Sequence, residues 1–377
     1  MDKSRLDYII IGNGLAGLQL ALAMANDPFF DTKEIALIDS SKKLENDKTW
    51  CFWEKGHGLW NDIISKTWNS CNFHSSKQSY DINLDDYQYK LIQSLDFYNY
   101  AKDILNNKNN FSFIIDTVKS IDGFIVNGQN TSYKTNYIFD SRIPEDYFSG
   151  KDNYTRVFQH FKGWIIETET DTFNPESFTV MDYRIKHNND TTFTYVLPLT
   201  KRKALVEFTF FTSYTVEDQL YDTYLKSYIT NILNIEDYAI TESEQGVIPM
   251  TDFKFKNYNT EHITKIGTGG GWVKGSTGYS FKHTEKKVSK IIDNIKQNKL
   301  PHFNLYNKKF AFYDKIFLKV LHDENPKGEW IFEQFYTKNN TKTMFRFLDE
   351  ESHFSEDLKI MLSLFSSSFI KAFFKTL

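Results

Sequence analysis

Cysteine is almost missing from this chain of 377 residues, which has only Cys51 and Cys71. They are too far apart for C-x-x-C, so neither a redox dithiol nor a thiolate zinc site is expected. The nine histidines show no ligand spacing either, so no metal is expected. Charge of one sign is lacking: 45 Lys and Arg against 49 Asp and Glu give a net charge of −4. That leaves no basic footprint for nucleic acid. No apolar run reaches 18 residues, so no helix is expected to span a membrane. No charged-then-apolar leader precedes the first apolar segment, so no secretory signal is expected. The expected compartment is the cytoplasm, including the inner surface of its membrane. Proline (7) and glycine (17) are scarce, so places where glycines cluster carry information.

Aromatic residues are plentiful at 17 %, with 34 Phe and 22 Tyr. Two readings stand side by side: genome base composition, and an apolar substrate channel.

Residues 7–17 read Asp-Tyr-Ile-Ile-Ile-Gly12-Asn-Gly14-Leu-Ala-Gly17. A short apolar strand runs straight into G-x-G-x-x-G, and Leu18 to Ala25 then read as a helix. This is the βα turn of a dinucleotide-binding fold. Gly12 allows the tight turn, Gly14 lets a pyrophosphate approach the backbone, and Gly17 lets the helix pack close. The N–H groups and positive end of that helix would face the phosphates. Glu34 to Asp39 is a second apolar strand ending on an acid, 39 − 17 = 22 residues after the last glycine. Asp39 there would accept hydrogen bonds from the ribose hydroxyls and repel a 2′-phosphate, favouring FAD or NAD over NADP.

Further along, Phe111–Ile115, Val118–Val126 and Tyr137–Asp140 read as short strands, the last ending in an acid like a strand returning to the nucleotide sheet. Phe158–Glu167, Phe178–Arg184, Thr192–Leu197 and Lys203–Phe211 alternate as an antiparallel sheet. A strand-then-glycine segment follows at 265–271, and residues 278–377 read mainly as helix. The predicted fold is α/β: a Rossmann-type FAD-binding domain in non-contiguous segments (1–75, 110–150, 245–295), an inserted antiparallel sheet as substrate domain (76–109, 151–244), and a helical C-terminal part (296–377). Interruption of the nucleotide domain by such a sheet tilts the cofactor toward FAD, on fold-level analogy.

Asp47-Lys-Thr-Trp50-Cys-Phe52-Trp53-Glu54 resembles the D-R-T-W-C-F-W motif of bacterial lycopene β-cyclases, with Lys48 in place of Arg. The resemblance continues in order through Gln159–Trp164, Met181–Arg184, Phe193–Pro198, Leu205–Thr209, Gly246–Met250, Ser276–Phe281, Asp314–Leu321 and Ile331–Tyr336. It implies a redox-neutral isomerisation in carotenoid biosynthesis: a linear end of lycopene is protonated, the cation closes a six-membered ring, and a proton leaves to give a β-ring. It further implies reduced FAD beside the cation, NAD(P)H as its reductant, lycopene and related carotenoids as substrates, and contact with other enzymes of that pathway.

The Glu of the L-V-E-x-T strand, here Glu207, is implied to be essential. Among Val206, Phe208, Phe210 and Phe211 a carboxyl is poorly solvated, which raises its proton affinity and suits a donor near neutral pH. As a carboxylate it would instead stabilise the cation, by roughly 4 kcal/mol at about 4 Å and an effective dielectric of about 20. Taken alone, a Glu alternating with apolar residues on a strand more often faces water. Asp182 is the second catalytic candidate, although Asp-x-Arg on a strand is commonly a structural ion pair. Trp50, Phe52 and Trp53 are candidates for lining the carotenoid path, against ordinary aromatic core; Cys51 is expected as a small buried hydrophobe. Gly269, Gly270 and Gly271 are expected to let backbone approach the cofactor, against a glycine turn of purely structural role, with Thr277 and Gly278 opening a helix near its ring. Flavin hydroxylases carry Gly-Asp where this chain has Gly267-Thr268, which weighs against the alternative of an FAD oxidoreductase acting on an apolar isoprenoid. Leu362, Phe365, Phe369 and Phe373, widened by Ile370, Phe374 and Leu377 and flanked by Lys371 and Lys375, fall on one helical face. That stripe suits a helix lying in a membrane surface, or one docked on the core.

Overall fold

The computed structural model describes residues 5–150 and 154–377. The apolar run Leu6–Ile11 is the central strand of a parallel sheet, flanked by Ile35–Asp39 and Ser132–Asp140, with Phe111–Ile115 and Ile263–Lys265 outside them. Ile9, Ile10, Ile35 to Ile38, Ile138 and Phe139 are buried, because a parallel sheet is covered on both faces and its strands need no polar side. The predicted strand 118–126 is broken in two. Gly123 takes a φ of +55° and turns Val118–Asp122 back onto Ile125–Gly128, a hairpin extending the sheet through Ser132–Asp140.

The helix Leu15–Ala25 packs on this sheet together with Ser94–Asn106 and Phe281–Lys296. Ser94–Asn106 lies in the segment 76–109 that the strand pattern grouped with the substrate sheet. Its apolar face, Phe97, Tyr98, Ala101 and Leu105, is buried in the nucleotide layer. Residues 49–93, silent in periodicity, form a three-stranded antiparallel sheet from Thr49–Lys55, Lys66–Trp68 and Tyr87–Gln93, and a hairpin from Ser70–His74 and Ser79–Asn83.

That hairpin borders a second large sheet. Its order is Ala239–Thr251, Arg156–Glu167, Lys203–Thr212, Thr191–Pro198, Ser177–Asp182, then Ser70–His74 and Ser79–Asn83. All neighbours run antiparallel except Ser177–Asp182 with Ser70–His74. The two faces of Lys203–Thr212 separate by the period of two. Ala204, Val206, Phe208 and Phe210 pack on the helix Asp218–Asn231 through Tyr221, Leu225, Tyr228 and Ile229. Leu205 and Phe211 face the opposite core, where the C-terminal helices contribute Leu318, Ile331, Phe332 and Met344. Each such side chain, fully buried, contributes about 1.5–3 kcal/mol.

The C-terminal region is helical: Lys308–Asp323, Gly328–Lys338, Thr341–Leu348, Phe354–Ser363 and Ser367–Thr376. The expected single stripe 362–377 is split, because the helix stops at Ser363 and restarts at Ser367. No helix among the described residues is long and apolar enough to cross a membrane.

Candidate active site

The glycine turn sits where the first strand meets its helix. Gly12 has a φ of +101°, a backbone only glycine adopts freely. A Cβ on Gly17 would lie 2.0 Å from the Gly12 carbonyl oxygen, so the close helix approach depends on its missing side chain. A Cβ on Gly14 would meet nothing within 4 Å; that position is open to the cavity beside it. Gly14 is also the N-cap of the helix, with no side-chain cap and no acid in the first turn. The protein leaves those N–H donors unused, as a phosphate site requires. Asp39 braces the turn: Asn13 N–H donates to Oδ2 at 2.6 Å and Ser41 N–H to Oδ1 at 2.8 Å. Each oxygen keeps lone-pair capacity for a ribose hydroxyl.

From this turn one cavity of about 560 Å³ runs between the two sheets to Glu207. Near the glycines its walls are polar; beyond them come Trp50, Cys51, Met181, Phe193, Leu205 and Phe211. Gln159 Oε1, Trp272 Nε1 and Thr277 Oγ1 are buried with no hydrogen-bond partner among the described residues. An unpaired buried polar atom costs about 1–3 kcal/mol, and all three residues line this cavity. Bare backbone at Gly14, free helix N–H groups and orphaned polar atoms fit a dinucleotide cofactor.

Glu207 lies in the deep part of the cavity. Its strand neighbours on the same face are Leu205 and Thr209, and Thr209 Oγ1 donates to Glu207 Oε1 at 2.8 Å. Burial pushes its carboxyl up to about 8, and the nearby Glu244 carboxylate adds to the rise. Glu244, on Ala239–Thr251, accepts from Thr49 Oγ1 at 2.7 Å. Three tyrosines complete the wall, Tyr89 buried and Tyr195 and Tyr279 half-buried: Tyr195 OH donates to Tyr89 OH at 2.7 Å, and Tyr89 and Tyr279 share a hydroxyl bond of 3.0 Å. Desolvation raises all three phenols, so they stay neutral donors. The arrangement offers a protonated carboxyl, a second carboxyl and apolar walls, with no metal-ligand cluster among the described residues.

Several expected site residues lie elsewhere. Asp182 is closed into an ion pair with Arg184, whose Nε donates at 2.9 Å, and accepts from Tyr228 OH at 2.6 Å. A bulge between Thr179 and Asp182 turns both Val180 and Met181 to the cavity and sends Asp182 toward the helix Asp218–Asn231. Asp182 is therefore structural. Of the aromatic motif, Trp50 lines the cavity, but Phe52 stacks on Phe281 at 4.5 Å and Trp53 on Phe345 at 4.7 Å, both in the core. Cys51, expected as a small buried hydrophobe, is half-buried and lines the cavity, and desolvation pushes its thiol up to about 12. Gly269 and Gly270 do not face the cavity. Cβ atoms there would strike the Arg142 and Lys265 carbonyl oxygens at 2.3 and 2.4 Å, so these glycines serve internal packing. Gly267 and Thr268 line the cavity in their place, alongside Thr277 and Gly278. The helix beyond begins at Phe281, not at Thr277.

A second, almost wholly apolar hollow of about 380 Å³ opens among the C-terminal helices, lined by Phe312, Phe317, Phe335, Leu364, Phe369 and Phe373. Thr277 and Phe332 line both spaces, so the two adjoin. Of its lining, Phe365 and Phe374 are exposed, and Leu362 and Leu377 in the same stretch of chain are exposed as well.

The two sheets, the glycine turn and the cavity between them define the fold of the FAD-binding oxidoreductases and halogenases. A geranylgeranyl bacteriochlorophyll reductase-like protein from Thermoplasma acidophilum superposes with a TM-score of 0.62 at 10 % identity, covering 99 % of both chains. The flavin-dependent brominase Bmp2 gives 0.59 at 11 %, covering 96 % of this chain and 93 % of its own. PqsL of Pseudomonas aeruginosa, described as a probable FAD-dependent monooxygenase, gives 0.55 at 9 %, covering 92 % and 98 %. At such identities the likeness is one of fold. No curated protein matches the chain. Within this fold the chain belongs to the lycopene cyclase family, described as "Lycopene cyclase protein", which it matches over residues 7–373.

Proposed function

We propose that this chain is a flavin-dependent lycopene β-cyclase that converts linear ends of lycopene to β-rings, through γ-carotene to β-carotene, without net redox change. The observation that carries this reading is the single cavity joining the uncapped helix end at Gly14 to the buried carboxyl of Glu207. A hydroxylase needs a place for oxygen chemistry at the ring. A cyclase needs a proton source in a dry apolar space, and Glu207 is one.

Gly12, Gly14 and Gly17 with the first turn of Leu15–Ala25 would hold the pyrophosphate, Asp39 the ribose, and Gly267, Thr268, Thr277 and Gly278 the flavin end. FAD, reduced by NAD(P)H, would supply electron density beside a cation. The chain's own residues do the rest. Glu207, protonated at neutral pH, breaks its O–H bond as the terminal double bond of the substrate forms a new C–H bond. Trp50, Met181, Phe193, Leu205 and Phe211 exclude water, which would otherwise trap the cation as an alcohol. The internal double bond closes the ring, and the proton that leaves it returns to Glu207. Nothing is consumed, as an isomerisation requires.

The exposed apolar rim at 362–377 supports a peripheral membrane position, with the adjoining hollow as the route by which a polyene passes from bilayer to cavity. Lys359, Lys371 and Lys375 would meet anionic headgroups.

Pigment analysis of a lycopene-accumulating bacterial host tests the function. β-Carotene establishes a two-ended cyclase and γ-carotene a one-ended one. Unchanged lycopene with FAD bound overturns the reading in favour of an oxidoreductase.

A further inference from the structure

Three neighbouring strands place two carboxyls over one missing side chain. Arg156–Glu167 lies between Lys203–Thr212 and Ala239–Thr251, and Gly163 is in register with Glu207 on one side and with Glu244 on the other. The three residues form one row on one face of the sheet. Across two strand spacings, roughly 9–10 Å, opposing glutamates would normally be kept apart by the residue between them. Here that residue is glycine. A Cβ on Gly163 would lie 2.9 Å from Leu205 Cδ1, 3.3 Å from Glu207 Cβ and 3.4 Å from Glu244 Cγ, so the two glutamates and Leu205 share the space above it. Both line the cavity.

The two are not equivalent. Glu244 accepts from Thr49 Oγ1 at 2.7 Å, and the positive charge of Lys48 acts on it. Glu207 accepts from Thr209 Oγ1 and has no cation beside it among the described residues. The groups facing the pair come from every packed element: Cys51 of Thr49–Lys55 interacts with both carboxyls, Tyr279 with Glu207, and Glu242 with Glu244 on its own strand, while Tyr195 is in register with Glu207 on the adjacent strand and bonds to Tyr89. Apart from Lys48, these are neutral in their ordinary form or negative.

We propose that Glu244 is the second carboxyl of the reaction site: Glu207 and Glu244 hold one proton between them over Gly163, with Glu207 carrying it and Glu244 holding the negative charge. The inference rests on the reading of Glu207 as the proton donor. It assigns the two tasks a cyclase site needs, proton donation and charge stabilisation of the cation, to separate side chains. The pair carries one negative charge at rest and two when the proton is on the substrate, balanced by the cation. It returns to one when the ring proton comes back. Two carboxyls this close cannot easily both ionise in a dry site, so the second charge favours the proton's return. Raised values for both carboxyls accompany this geometry.

The test is the infrared carbonyl band of the protonated Glu207 carboxyl, taken on the full chain without substrate as the difference from Glu207→Gln in the same background. The expected band persists through neutral pH and titrates near pH 8. In Glu244→Gln its midpoint falls by at least tenfold in proton affinity, and the alkaline limb of the cyclisation profile moves the same way. Thr49→Val, which removes only the hydroxyl bond to Glu244, serves if the first variant does not fold: Glu244 then takes part of the proton and the band weakens at pH 7. An unchanged midpoint in Glu244→Gln, or an unweakened band in Thr49→Val, overturns the pairing. Because the titration needs no substrate, a chain that titrates as described yet leaves lycopene unchanged refutes the proposed function and not the pair.

Discussion

Replacing Glu207 by Gln removes one proton site and almost nothing else. Gln keeps the shape, and its Oε1 can still accept the Thr209 hydroxyl. The carboxyl stands at about 8 in the folded chain against 4.5 in water. At about 1.4 kcal/mol for each tenfold change in proton affinity, ionising it in place costs up to about 5 kcal/mol. The sign follows from linkage. The folded state holds this proton more tightly than the unfolded chain, so the stability it contributes is fully present below about pH 4.5. It is lost as pH rises toward 8, and is flat above that. Gln cannot ionise and does not share this loss. Glu207→Gln should therefore gain stability over the wild type steadily between pH 5 and 8, while cyclisation falls by at least about a hundredfold, the usual weight of a positioned acid. Wild-type activity should decline as pH rises through 8. Denaturant melts of both proteins from pH 5 to 9, beside product analysis, check all three. A stability difference independent of pH would show that Glu207 is not buried and protonated as described. Retained cyclisation would remove it from the mechanism.

Gly14→Val should fold but bind FAD at least tenfold more weakly, since its side chain enters open cavity where the pyrophosphate would lie; flavin fluorescence reads this. Gly17→Ala should lose stability as well as flavin, because its Cβ meets the Gly12 carbonyl. Asp182→Asn weakens the buried bond from Tyr228 and an ion pair whose Arg184 end is exposed, and should cost about 1–3 kcal/mol in a denaturant melt, leaving the pH profile of activity unmoved; a shifted profile would return Asp182 to the chemistry. Leu362→Glu with Phe374→Glu, both on exposed positions, should abolish flotation with anionic liposomes and spare activity in detergent. Unchanged flotation would refute the membrane-facing rim.

The nucleotide half was legible because its constraints are local. A tight turn and a close helix each demand a glycine at a set offset, so the backbone of Gly12 and the packing of Gly17 could be read from spacing, and Gly14 was marked as the open position between them. Strand limits at 158–167, 192–197 and 203–211 came within two residues, since alternation is written in the chain itself. Glu207 was singled out by resemblance to a family, not by its own pattern. On a strand of alternating residues nothing says which face is water. That was decided by the C-terminal helices, more than 100 residues away, which roof the face bearing Leu205, Glu207 and Phe211. The same dependence misled the reading of Asp182, Phe52, Trp53, Gly269 and Gly270. A bulge, two ring stacks and two backbone contacts turn these away from the cavity, and no spacing rule records them. Glu244 was invisible. It lies 37 residues from Glu207 in sequence, on a strand that no alternation marked, and becomes its neighbour only through register with Gly163. Sequence by itself determined the elements whose geometry depends on a few consecutive residues. Tertiary structure alone decided which side chains share a dry space, because burial and register depend on what the rest of the chain brings alongside.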